Sequence, residues 1–195
     1  ANNVFAYSGL TSVNVPALQK MSVGDVDYYA DSMFSNCVYL TSVTFDSGLT
    51  WLSKNMFSNC TSLENIVLPA GLVSVDLTSD SASYSFGTGP FNGSGLKSVD
   101  LNGVTELPAK IFRGASALET VTGLESVTEV GMSAFYGTSL KEVNLSSVNA
   151  LPDGVFYDCV SLEKVILNDV MSSIGAHVFR GCTSLATIDV YSLVS

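Results

Sequence analysis

The sequence predicts an α/β repeat solenoid, with a parallel β-sheet on the concave face and short strands, turns and single helical turns on the convex side. Three observations carry this prediction. Phenylalanine recurs as Phe5, Phe34, Phe57, Phe91, Phe112, Phe135, Phe156 and Phe179, at spacings of 29, 23, 34, 21, 23, 21 and 23 residues, which uses eight of the ten phenylalanines. Five or six residues after each comes a leucine (Leu10, Leu40, Leu63, Leu96, Leu118, Leu140, Leu162, Leu185), and three further on a valine or isoleucine, from Val13 to Ile188. Five residues before the phenylalanine lies a second apolar position, filled by Tyr29, Leu52, Phe86, Leu107, Val130, Leu151 and Ile174. Self-similarity at a period of 20 to 50 residues is the mark of a repeat architecture, in which no unit can bury its apolar face alone.

Each unit is read in order from these anchors. The phenylalanine opens a turn that ends at the leucine. The following L-x-x-V-x-L segment is a short strand of period two, with its valine and second leucine on one side. Eight copies stacked at about 4.8 Å superpose those residues into ladders and make a continuous core. Gly123 stands where seven of the eight units carry the second apolar strand residue. The segment before the next phenylalanine, as in "VTELPAKIF" and "VNALPDGVF", contains proline and glycine, which favour extended backbone and turns over a long helix. The whole chain, residues 1–195, is expected to be one domain of about eight repeats.

The unit L-x-x-V-x-L-P followed by L-x-x-I-G-x-x-A-F-x-x-C-x-S-L resembles the BspA-like leucine-rich repeats, with close echoes in "VTEVGMSAFYGTSLKEVNL" (127–145) and "MSSIGAHVFRGCTSLATIDV" (171–190). The resemblance covers essentially the whole chain. It implies a leucine-rich-repeat right-handed superhelix and a secreted or cell-surface bacterial protein. It further implies contact with a host or cell-surface protein, matrix component or glycan. Periodicity alone implies only a solenoid with an extended surface.

Composition narrows the partners. A 47% hydrophobic and 13% charged sequence is that of a folded chain. Its formal charge of −10, from 18 acids and 8 bases, repels phosphate backbones and anionic lipid, so nucleic acid is not an expected partner. No apolar run is long enough to span a bilayer, so membrane insertion is not expected either. The chain lacks an initiator methionine and an evident polar capping repeat, as a trimmed secreted chain or a piece of a longer surface protein would. An open terminal edge would also permit edge-to-edge self-association.

Catalytic and metal chemistry find little support. Cys37, Cys60, Cys159 and Cys182 all stand three residues after a phenylalanine, in two pairs of neighbouring units. Ala115 fills that position in another unit, and the shorter turns put serine or threonine there, so small size is the expected requirement. A bridge between Cys37 and Cys60 or between Cys159 and Cys182 remains open, whereas four ligands converging on zinc do not fit two pairs at opposite ends of a stack. His177 is the only histidine, in a variable position expected to face solvent, so no histidine-based nucleophile is assembled. No cofactor motif is present. The residue after the ladder leucine reads Glu64, Lys97, Glu119, Lys141 and Glu163, an alternating column expected to support register on a solvated face.

Two insertions, at about 19–33 and 73–90, break the rhythm between strand and turn, and both should project from the same side of the solenoid. Insertions of this kind map to loops on one face, often the binding face. They carry the candidate ligand-binding residues Asp25, Asp27, Tyr28, Tyr29 and Asp31, and Asp76, Asp80 and Tyr84. Tyrosine among small polar residues is good contact chemistry. The acids alone do not complete a calcium loop. The competing reading is that these are tolerated insertions whose aromatics pack on the core. The outward positions of the concave strands are small and polar, without a cluster of tryptophan or tyrosine, and Trp51 could cover the convex wall. The expected function is a non-enzymatic extracellular binding or adhesion module. A passive spacer of a longer surface protein is the alternative, and a hydrolase using insertion carboxylates a remoter one.

Overall fold

A computed structural model describes residues 3–17, 21–23, 26–28, 32–76 and 88–191. In chain order the strands are β1 (Ser12–Val15), β2 (Met21–Val23), β3 (Val26–Tyr28), β4 (Ser42–Phe45), β5 (Trp51–Ser53), β6 (Asn65–Val67), β7 (Ser74–Asp76) and β8 (Ser98–Asp100). They continue with β9 (Glu106–Leu107), β10 (Thr120–Thr122), β11 (Glu129–Val130), β12 (Glu142–Leu145), β13 (Ala150–Leu151), β14 (Lys164–Asn168), β15 (Ser173–Ile174) and β16 (Thr187–Tyr191). The fold is a parallel β-solenoid. Its convex side consists of turns and two- or three-residue strands, with one 3-10 turn, Leu124–Ser126, among the described residues.

The expected main strands pair in parallel and in register, valine upon valine: Val13 with Val43, Ile66 with Val99, Val143 with Val165, and Val165 with Ile188. The concave ladder nevertheless comes in three runs, β1-β4, β6-β8-β10 and β12-β14-β16, where one continuous sheet was expected. The second break has a local cause. Gly123, the residue that departs from the strand pattern, adopts φ 93° and leads into the 3-10 turn, which takes the chain out of the ladder after only three strand residues.

A third ladder follows the phenylalanines. All eight rings stack in one column with centroids 5.5 to 6.2 Å apart, and five of them, from Phe57 to Phe156, are fully buried. Backbone hydrogen bonds run alongside from coil to coil, as from Phe34 N–H to the Met56 carbonyl and from Phe112 N–H to Ala134, both at 2.9 Å. Stacked pairs of this kind add about 0.5–1.5 kcal/mol each beyond area burial.

The four cysteines are free thiols, three buried and Cys182 half-buried. Small size is not their only property. Each thiol donates to the phenylalanine carbonyl one coil back: Cys37 to Phe5, Cys60 to Phe34, Cys159 to Phe135 and Cys182 to Phe156, at 3.0 to 3.1 Å. That carbonyl already accepts a backbone N–H within its own turn, and at Phe5, Phe34 and Phe156 the thiol fills the second lone pair, whereas at Phe135 it shares the oxygen with the Thr138 hydroxyl as well.

The convex position expected to hold Phe86 holds Val75 instead. Leu52 of β5 pairs with Val75 of β7, so residues 74–76 belong to the regular coil and the departure begins after Asp76. Leu52 precedes its phenylalanine by five residues and Val75 precedes Phe91 by sixteen, which leaves eleven surplus residues, 77–87. Within the first insertion, β2 and β3 form an antiparallel hairpin that pairs Met21 with Tyr28. Trp51 is buried in β5 as part of the convex wall.

Candidate functional site

Two left-handed residues flank each phenylalanine. Two positions before it, Asn3, Ser32, Asn55, Lys110, Ser133, Gly154 and His177 have φ of 54° to 64°. Two positions after it, all eight residues, from Tyr7 to Gly181, have φ of 57° to 81°. The chain reverses twice around the buried ring. This accounts for the asparagine, aspartate and glycine so frequent there, since these residues tolerate the left-handed region best. The earlier position was expected to be solvent-facing. His177 is exposed, but Lys110 and Ser133 are 7% and 5% accessible, so backbone conformation and not exposure unites that column.

Between these two reversals lies the residue immediately after the phenylalanine. In the last four coils it is Arg113, Tyr136, Tyr157 and Arg180, one above the next. The Arg113 guanidinium lies 4.0 Å from the Tyr136 ring centre, the two tyrosine rings stack at 4.8 Å and 3°, and the Arg180 guanidinium lies 5.4 Å from Tyr157. His177 approaches Tyr157 edge-on at 6.3 Å. A guanidinium over an aromatic face is held by the ring quadrupole, by about 0.5–1 kcal/mol where exposed and more where desolvated. The column is therefore ordered before anything binds.

Beside it an open cavity of about 450 Å³ runs between the two reversals, bounded by Arg113, Tyr136 and Tyr157 on one side and by Ser133, Asp153, Gly154, Ala176 and His177 on the other. Gly154 lies on that second side, where an added Cβ would meet Ser133 Oγ at 3.3 Å and Tyr157 Cβ at 3.8 Å. Asp153 Oδ1 accepts the Ala176 N–H at 2.7 Å, which orients the carboxylate. The Tyr136 hydroxyl donates to Asp158 Oδ2 at 3.4 Å. Burial first, and then the Asp158 carboxylate, push the Tyr136 phenol above its ordinary pKa.

The residues expected from sequence to bind a ligand are not gathered here. Asp25, Tyr29, Asp31, Asp80 and Tyr84 lie outside the described residues, as does Phe86. Asp27 and Tyr28 belong to the β2-β3 hairpin, and Asp76 ends β7 opposite Ser53. On the concave face the small polar residues bond to one another across strands, as Asn14 Nδ2 does to Asp46 and Thr44 Oγ1 to Asn14, both at 2.9 Å. A shallower cavity of about 270 Å³ lies over Ser42, Asn65 and Ser98. The alternating charge column closes as an ion pair at Glu64 and Lys97, 2.7 Å apart, while the break after Gly123 falls between Glu119 and Lys141. A second set, one residue along, joins Lys164 to Glu142 at 3.5 Å and to Asp189 at 3.2 Å. Among the described residues no three histidine, cysteine, aspartate or glutamate side chains gather where they could hold a metal ion. Reading the sequence one residue past each phenylalanine, through "FRGA", "FYGT", "FYDC" and "FRGC", would have exposed the arginine and tyrosine column.

Stacked coils on a parallel ladder, with polar and aromatic side chains presented from their turns, define a leucine-rich-repeat scaffold. More narrowly, the chain belongs to the BspA type leucine rich repeat region family, which matches it in six copies over residues 1–79 and 84–195. Among solved structures, it is similar to a leucine-rich repeat protein from Eubacterium ventriosum, at 20% identity and a TM-score of 0.52 over 94% of this chain and 55% of that one. It is also similar to the T. pallidum leucine rich repeat protein, at 24% identity and 0.51 over 90% and 65%. A leucine rich cell surface protein from Faecalibacterium prausnitzii aligns at 20% identity and 0.43 over 93% and 60%. The chain thus spans 55 to 65% of the length of these structures. At such identities the likeness to the first two establishes the fold. No curated protein matches the chain.

Proposed function

We propose that the chain is a non-enzymatic binding or adhesion module, secreted or held at a cell surface. Its ligand belongs to the class of host or cell-surface proteins and glycans. The observation that carries this reading is the Arg113–Tyr136–Tyr157–Arg180 column beside an open cavity. Tyrosine and arginine are the side chains most enriched at binding hot spots, and here they are held rigid by one another on a hydrogen-bonded frame. The likeness of the repeat unit to the BspA type supports the surface location. The insertions remain proposed as a second contact region, through Asp25, Asp27, Tyr28, Tyr29, Asp31, Asp76, Asp80 and Tyr84.

The test is an array of matrix proteins, cell-surface proteins and glycans probed with the wild type, with Tyr136→Ala/Tyr157→Ala, and with a variant lacking 77–87. Capture that is lost in the double variant while its melting temperature is kept supports the column as the contact site. Loss confined to the deletion variant moves the site to the insertions. No capture across the array makes the chain a spacer. Turnover of a glycoside that disappears in Asp25→Asn or Asp27→Asn would show an enzyme instead.

A further inference from the structure

We propose that the cavity beside the tyrosine pair is a subsite for a sugar bearing a single carboxylate, of the uronic- or sialic-acid type. This deepens the binding-module reading and rests on it. Charge is the first argument. The chain carries a formal charge of −10, yet both of its arginines and its only histidine surround this one tyrosine pair. Guanidinium presents five N–H donors in a planar fork matched to a carboxylate, more than one partner can use. Stacking on Tyr136 holds the Arg113 fork in place, so little side-chain entropy is lost when it engages an anion.

The shape of the site points to a sugar and not to a flat ring. Tyr136 is covered on one face by Arg113 and on the other by Tyr157, so no free face is offered there for a base or an aromatic side chain to stack upon. What the cavity presents is phenol, serine and carboxylate oxygens, with the His177 imidazole at one end. Closely spaced donors and acceptors of this kind suit the vicinal hydroxyls of a pyranose. An open space of about 450 Å³ is of the size that receives a small organic ligand, here one or two sugar rings. The global field adds a restriction. A strongly acidic chain repels a polyanion along its length while the Arg113 guanidinium beside the cavity accepts one carboxylate, so a monoacidic sugar is favoured over a sulfated or phosphate polymer.

The test is two-dimensional amide NMR of the whole chain titrated with methyl β-D-glucuronide and with N-acetylneuraminic acid. Methyl β-D-glucoside serves as the neutral control and N-acetylglutamate amide as the acidic non-sugar control. The expected result is saturable shifts at 133, 154, 157 and 177 with the acidic sugars, and at least tenfold weaker binding of both controls. Arg113→Gln is expected to weaken the acidic sugars about tenfold, the scale of one charge-assisted contact. Gly154→Asn blocks the cavity and should abolish the shifts. The backbone accepts it, because the same column carries Asn3 and Asn55 at φ 58° and 55°, and an unchanged melting temperature checks that the Ser133 hydroxyl, 3.3 Å from the added Cβ, gives way. Equal binding of the neutral glucoside, equal binding of the glutamate, shifts mapping elsewhere, or none with any probe at tens of millimolar each overturns the proposal. Array capture that survives Gly154→Asn sinks this subsite while the binding module stands. Absence of both capture and sugar shifts removes the two together.

Discussion

At Cys60 a thiol accomplishes what the sequence pattern alone credits to small size. It is fully buried and donates to the Phe34 carbonyl, whereas Phe57, three residues before it, fills the core. Phe57→Ala should cost about 3–5 kcal/mol, from lost burial plus a cavity in the stacked column. Cys60→Ala should cost about 1 kcal/mol, the scale of one hydrogen bond. Urea unfolding of both variants measures the difference. Burial also pushes the Cys60 thiol from 9.0 to about 12, and the Cys182 thiol to about 11. The unfolded chain releases these protons from about pH 9 upward while the folded chain holds them. Their contribution to stability is therefore complete below pH 9 and is lost as the pH climbs toward 12. The urea midpoint should fall between pH 8 and 10.5, and fall less in Cys60→Ala. Ser94 stands in the same position of its own turn, and its buried hydroxyl has no hydrogen-bond partner. Ser94→Ala should stabilise the fold by roughly 1 kcal/mol, since an unsatisfied buried hydroxyl is replaced by an apolar group.

The strands and turns separate what is legible along the chain from what is not. L-x-x-V-x-L located every main strand, because a period of two and a buried valine leave one register that keeps the apolar side inward. It did not show where the ladder stops. The pause between β10 and β12 depends on how Gly123 turns the backbone, which the pattern marks only as an exception. The convex position shows the reverse failure. Phe86 fits the spacing rule, yet Val75 takes the place, since counting backward from a phenylalanine cannot tell which side of the position an insertion occupies. Excising 77–87 should therefore restore a regular coil, with Asp76 joined to Thr88 and Val75 five residues before Phe91. The Phe57 and Phe91 rings already stack at 5.7 Å, and β6 pairs with β8, across that insertion. The excised protein should melt within a few degrees of the parent by circular dichroism. A collapse of cooperativity would show that the insertion holds the coils together.

Over the whole molecule, repulsion among surplus acids competes with a few exposed ion pairs. Surface pairs contribute at most about 1 kcal/mol each and are screened by the same salt that relieves the repulsion. With a formal charge of −10, and ion pairs such as those of Lys97 and Lys164 exposed to solvent, repulsion should win. Raising salt from 20 to 150 mM should raise the melting temperature by about 2–4 °C, equivalent to roughly 1 kcal/mol in a chain of this size. A fall would show that the ion pairs dominate.

The amino-acid order by itself determined that this chain coils, how often, and which side chains face inward, because those properties repeat along one dimension and each repeat restates them. The column of Arg113, Tyr136, Tyr157 and Arg180 arises across the coils. Residues about 22 apart meet there only because the phenylalanine column and the left-handed turns hold successive coils in register. A tyrosine after one phenylalanine carries no such message in isolation. Stacking is a relation between neighbouring coils, and only the tertiary structure decides which neighbours a turn will have.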